Sequence, residues 1–160
     1  MDRIKWLVLN RPENAMIGTM YSDLTHKQVG FSWQLSTGIS SFLLNGTGLQ
    51  PGQHYGCDVV GYEWDRVFAN GATPKNLHIL GRSGTVADNN TADESDTTYY
   101  VAPSGALVFA AGAIYWTYAL DSYRLHADPL CTGQDLVVPG LQELMANIMD
   151  ALIVHHSQKS

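Results

Sequence analysis

Two carboxylates two residues apart, Glu63 and Asp65, close the segment Val59-Val60-Gly61-Tyr62-Glu63-Trp64-Asp65-Arg66. The segment begins apolar and reads as a strand, and on a strand the side chains at i and i+2 point to one face. Glu63 and Asp65 then share a side, with Tyr62 and Trp64 as neighbours. A carboxyl group held among aromatic rings loses hydration and is driven towards its neutral form. That is how a general acid or base is brought into working range near pH 7. The same pattern also fits an ordinary ion pair with Arg66 or Arg82 at a strand end.

Other residue types that do chemistry fall into weaker patterns. The loop Asn45-Gly46-Thr47-Gly48-Leu49-Gln50-Pro51-Gly52 is glycine-rich, but it lacks the Lys-Ser/Thr of a phosphate-binding loop and a following helix. Asp88, Asp93, Glu94 and Asp96 lie in a polar stretch, 86–98, without the glycine and terminal glutamate spacing of an EF-hand, and a solvated, mobile loop is expected there. His26, His54, His78, His126 and the His155-His156 pair form no His-x-x-x-His or facial-triad spacing, and the terminal pair reads as exposed and frayed. Cys57 and Cys131 have no metal-type spacing and are expected to be reduced structural thiols, a disulfide requiring an oxidising compartment.

The elements around these residues fit a single domain of 160 residues, long enough to bury about 70% of the unfolded surface. The net charge of −6 and nine scattered basic residues argue against a nucleic-acid partner. Residues 1–11 lack the apolar core of a signal peptide, and no apolar run approaches the roughly 18 residues of a membrane span. A cytoplasmic location is therefore expected, and the two Asn-x-Thr sequons, at Asn45 and Asn89, read as coincidence. Short strands are expected at 16–21, 29–33 and 77–80, and a hairpin turn at Ala102-Pro103-Ser104-Gly105.

The run Ala106-Leu107-Val108-Phe109-Ala110-Ala111-Gly112-Ala113-Ile114 has no polar residue on either alternation and reads as a strand covered on both faces. After the Asp128-Pro129 break, Pro139-Gly140 starts a helix. Its apolar positions 141, 144, 145, 148, 149, 152 and 153 make one stripe, with the methionines as core. A strand buried on both sides needs two helical layers, yet only this one helix is convincing. The second cover is then a missed helix, a partner, or further polypeptide.

Four stretches taken together resemble the C-terminal domain of the N,N-dimethylformamidase large (beta) subunit and its relatives. They are Arg11-Pro12-Glu13-Asn14-Ala15-Met16-Ile17-Gly18-Thr19-Met20-Tyr21; Gly46-Thr47-Gly48-Leu49 with Val60-Gly61-Tyr62-Glu63-Trp64-Asp65; Ala102-Pro103-Ser104-Gly105 with residues 108–116; and the helix at 141–153. The resemblance implies a β-rich α+β chain, the C-terminal part of a glutamine-amidotransferase-like α/β sandwich with an inserted β-rich excursion. The excursion would span residues 6–100, and a closing strand and helix residues 101–156.

It also implies an amide hydrolase that cleaves small N-substituted formamides at iron held by two tyrosines and a glutamate. In the family that glutamate belongs to a His-x-Glu-Tyr-Trp motif preceding the Pro-Glu-Asn-Ala stretch, and the motif does not occur in this sequence. No cofactor is then expected on this chain alone, and activity is expected to need an upstream polypeptide. Glu63 carries over as an acid/base or supporting carboxylate, with Asp65 and Tyr62 as companions. A non-catalytic module that self-associates is the alternative. A carbohydrate-binding module using Trp33, Trp64, Trp116 and the tyrosines is a further one.

Overall fold

The computed structural model describes residues 11–27, 30–123, 131 and 136–157, with side chains to residue 153 in the last segment. Among them the fold is a β-rich α+β arrangement of three antiparallel sheets and one long helix. Helix α1 (Asn14–Ile17) is a single turn closed by Gly18 in the left-handed region (φ 91°). Strand β1 (Met20–Leu24) follows it, so the expected strand at 16–21 is helix turn first and strand afterwards. β1 pairs with β4 (Glu63–Arg66), and β2 (Trp33–Gln34) pairs with β3 (His54–Tyr55). The largest sheet holds β5 (His78–Val86), β6 (Ala92–Val101) and β7 (Leu107–Ala110), with β6 in the middle. Val29, His126 and Asp128-Pro129 lie outside the described residues, as do the apolar segment before residue 11 and the side chains of His155 and His156.

The core forms where the three-stranded sheet meets helix α2 (Pro139–Ser157) and the loops from β2 to β4. Trp33 is 1% exposed; its indole N–H donates to Thr97 Oγ1 at 2.9 Å and its ring meets Trp116 edge-on, centroids 5.6 Å apart. Gly81, at the point where the β5 register slips, lies directly under that indole, and a Cβ there would collide with it. On α2 the buried residues are Leu141, Leu144, Ile148 and Ala151, whereas Met149, Leu152 and Ile153 are exposed. The apolar stripe is therefore wider than the face that packs.

Three expectations are corrected. Residues 86–98 are not a mobile loop: they form most of β6, the central strand, joined to β5 by a turn at residues 87–91. Ser95, Asp96 and Thr97 are held inside by specific partners. Ser95 Oγ donates to the Gly112 carbonyl at 2.9 Å, and Thr97 Oγ1 to the Ala111 carbonyl at 2.6 Å. Asp96, fully buried, accepts from Arg82 Nε at 2.7 Å, from Arg82 Nη2 at 3.1 Å and from the Val67 N–H at 2.9 Å.

The run at 106–114 is not a doubly covered inner strand. Only Leu107–Ala110 is strand, on the edge of its sheet. Gly112 (φ 65°) then turns the chain, and Trp116–Ala119 coils into a 3-10 turn. Its small residues serve close backbone approach rather than cover on two sides, so the need for a second helical layer falls away. The cysteines, finally, are not free thiols: Cys57 and Cys131 are joined as a disulfide, closing a separation of 74 residues.

Gly112 gives the sharpest check of this packing. A Cβ there would strike the Asp96 carbonyl from a backbone conformation that L residues adopt at a cost of roughly 1–2 kcal/mol. Gly112→Ala is expected to lower unfolding free energy by at least about 2 kcal/mol. Gly84→Ala, with nothing within 4 Å of its Cβ position, should stay within about 0.5 kcal/mol. Paired urea titrations compare the two.

Candidate active site

Strand β4 is fixed along both edges. On one side it pairs with β1, with Tyr21 opposite Asp65 and Leu24 opposite Glu63. On the other, Trp64 bridges to Ala113, the Asp65 N–H donates to the Gly112 carbonyl at 3.0 Å, and the Ile114 N–H donates to the Val60 carbonyl at 3.0 Å. Gly61 (φ 80°) lets the incoming chain pass against Ile114 and Tyr115, where a side chain would collide with both. The period of two then sorts β4 into an inner and an outer face.

Trp64 occupies the inner face at 1% exposure, and its indole N–H donates to Asp93 Oδ2 at 2.9 Å. The same oxygen accepts from Ser22 Oγ at 2.6 Å, and Arg66 Nε stands 3.4 Å from the other. Burial acts to raise the pKa of Asp93. The hydrogen bonds from Ser22, Trp64 and the Glu94 N–H, with the Arg66 charge, outweigh it and hold the carboxyl below its ordinary value.

Glu63 and Asp65 share the outer face, as their spacing requires. Both are half-buried, and with Gly112, Ala113 and Ile114 they line a cleft of about 270 Å³. Among the described residues no ion pair reaches either of them. Arg66 goes to Asp93, and Arg82 to Asp96 and Glu94, so the simple pairing with Arg66 or Arg82 does not occur. Burial pushes the pKa of Asp65 up, and the charges of Glu13 and Glu63 push it further in the same direction. Tyr21 responds similarly: burial raises its phenol pKa, then Asp23 and Glu63 add to the rise. Tyr62 does not line the cleft; it is 43% exposed, its ring edge-on to Tyr115 at 5.5 Å, and Tyr115 stacks on Tyr118 at 4.3 Å.

Glu13 and Tyr21 are the members of this group that the strand pattern does not announce. They flank α1, and only the pairing of β1 with β4 brings them near Asp65. Burial and like charges thus act on one carboxyl that stands beside a second carboxylate in the same cleft.

Two other clusters do less. A larger cleft of about 520 Å³ is lined by Gln34, Leu35, Ser36, Thr37, Ile79 and Arg82. Among the described residues its one charged group is the guanidinium already committed to Asp96 and Glu94. On the surface, His26 Nδ1 lies 2.6 Å from Asp88 Oδ2, and the His26 N–H donates to Asp88 Oδ1 at 2.7 Å. The hydrogen bond from the His26 ring, then the one from its backbone, lower the Asp88 pKa. That pair ties the end of β1 to the β5–β6 turn. Trp33, Trp64 and Trp116 are all buried in the core, so none of these three offers a face for stacking, whereas Tyr21, Tyr62 and Tyr123 are exposed.

A family model described as N,N-dimethylformamidase beta subunit-like, C-terminal, matches residues 3–129. The span includes every residue of the β4 cleft and ends before α2. No curated protein sequence matches the chain.

The electrostatics predict an unusual stability effect. Because the folded pKa of Asp65 lies above its unfolded value, near 3.9, ionising it destabilises the fold. The penalty is absent below the unfolded pKa, where both states keep the proton. It grows as pH rises through the folded pKa and is complete above that. Asp65→Asn should therefore be more stable than the parent at pH 7, by a few tenths of a kcal/mol at this half-exposed position, with the gain closing towards pH 3. Urea denaturation at several pH values measures it, and a less stable variant at pH 7 would reveal a cation holding Asp65.

Proposed function

This chain belongs to the N,N-dimethylformamidase beta subunit-like, C-terminal family, and we propose that it is the C-terminal portion of an amide hydrolase whose β4 cleft supplies acid/base groups. The observation that carries this reading is the placement of Glu63 and Asp65 side by side in one cleft with no ion pair to either among the described residues, where burial and acidic neighbours raise the pKa of Asp65. The reaction class is hydrolysis of the C–N bond in a small linear amide. Water adds to the carbonyl carbon, the C–N bond breaks, and the departing nitrogen takes a proton. Asp65 is the group suited to give that proton, since it retains one at higher pH than an ordinary carboxyl. Glu63 supplies the second carboxylate, whose charge adds to the rise in the Asp65 pKa. Ile114 lines the cleft and gives the substrate an apolar edge.

The resemblance also implies iron, which as a Lewis acid would polarise the amide oxygen and lower the pKa of bound water. We assign the iron ligands of this proposal to a partner polypeptide carrying the His-x-Glu-Tyr-Trp motif, and no step above runs through the metal. The sandwich expected from the resemblance belongs to the same proposal, with this chain docking against that partner. A second reading, self-association without catalysis, draws on one observation: Met149, Leu152 and Ile153 are exposed together on α2. Sedimentation of the purified chain reports on it, a discrete dimer favouring that reading and a monomer opposing it.

The catalytic reading is tested by co-expressing the chain with such a partner and following formate release from N,N-dimethylformamide. Asp65→Asn is expected to lower kcat by roughly 10²-fold or more, the usual scale for losing a general acid. Glu63→Gln should lower it at least tenfold, and the chain without the partner should give no turnover. If either substitution leaves the rate within twofold, the role assigned to that residue is wrong.

A further inference from the structure

The cleft stands on a segment with little regular structure of its own. Cys57 lies six positions before Glu63, and the intervening residues belong to no helix or strand. Val59 and Val60 are nevertheless fully buried, and the Val60 N–H donates to the Phe31 carbonyl at 3.0 Å. Gly56 (φ 67°) folds the chain back so closely that a side chain there would collide with Val59. At the head of this segment the sulfur of Cys57 is bonded to Cys131, which lies between the Trp116–Ala119 turn and α2. These are the chain's two cysteines, and neither is left as a free thiol.

We propose that the Cys57–Cys131 bond is a redox-sensitive tie on the irregular segment that leads into β4, so that reduction loosens the approach to the Glu63–Asp65 cleft while the main sheet persists. A dithiol reductant would reverse it: two electrons and two protons pass to the sulfurs, two cysteine thiols form, and the reductant becomes a disulfide. Once released, residues 57–62 keep their apolar contacts but lose the covalent anchor that opposes their conformational entropy. The larger sheet does not depend on this tie, since β5, β6 and β7 are joined by their own ladders. A bond of this kind also persists in oxidising surroundings rather than in a reducing cytosol, contrary to the location expected from residues 1–11. The inference stands independently of the proposed amide chemistry, because its readouts are covalent and structural.

The test uses the full chain prepared under oxidising conditions. After thiols are blocked, non-reducing peptide mapping should recover Cys57 and Cys131 in one linked species. Adding dithiothreitol should lower Tm by about 10 °C, the scale expected for opening a loop of this length in a chain of this size. Amide hydrogen exchange over residues 57–66 should accelerate at least tenfold on reduction, while β5 and β6 keep their protection. Cys57→Ser with Cys131→Ser should reproduce the reduced state and no longer respond to reductant. If that variant does not fold, titrating the parent with reductant gives the same exchange readout. Two alkylatable thiols in the folded parent, a Tm indifferent to reductant, or loss of protection across the whole sheet at once would each overturn the proposal.

Discussion

The structure turns on the occupation of two carboxylates of the central strand. Asp93 and Asp96 both sit on β6, and each takes its hydrogen bonds from the elements that carry the site. Asp96 is fully buried and accepts from Arg82 and from the Val67 N–H just beyond β4. Asp93 accepts from Trp64 on β4 and from Ser22 on β1. A buried carboxylate is tolerable only when its lone pairs are met, and removing one partner leaves an uncompensated charge. These bonds therefore fix β4 and β1 against the main sheet, and they draw both arginines nearest the cleft away from it.

The consequence appears on the opposite face of the same strand. With Arg66 and Arg82 held by β6, Asp65 is left with acidic neighbours, Glu13 and Glu63, and with Tyr21 opposite it on β1. One strand thus separates two electrostatic environments within a single period of two. Inward, hydrogen bonds and a cation hold Asp93 ionised; outward, burial and like charges favour the protonated form of Asp65. That contrast supports an acid/base reading of the outer face. Gly112 is part of the same construction, because its backbone closes over both Asp65 and Asp96 where no side chain would fit.

Local sequence disclosed some of this and concealed the rest for identifiable reasons. The shared face of Glu63 and Asp65 follows from strand periodicity alone, and the 102–105 turn and the long C-terminal helix follow from turn chemistry and a 3.6-residue repeat. The polar stretch 86–98 looked solvated because Ser95, Asp96 and Thr97 bond to groups 14 or more positions away, beyond any local window. Conversely, 106–114 looked like an inner strand because an apolar run does not say whether its residues pack on two faces or turn at a glycine. Glu13 and Tyr21 entered the site through strand pairing across about forty residues, which no periodicity reports. The disulfide likewise joins positions 74 apart, and cysteine spacing alone did not distinguish it from two thiols.

The account makes two aspartates one strand-width apart titrate in opposite directions from a common reference. Carbon-13 NMR of the labelled side-chain carboxyls, followed from pH 2 to 8, measures both in one sample. The account predicts Asp65 titrating above the unperturbed aspartate value of about 3.9 and Asp93 below it. Asp65 titrating at or below that value would mean a cation or donor reaches the outer face, and the separation of charges across β4 would be refuted.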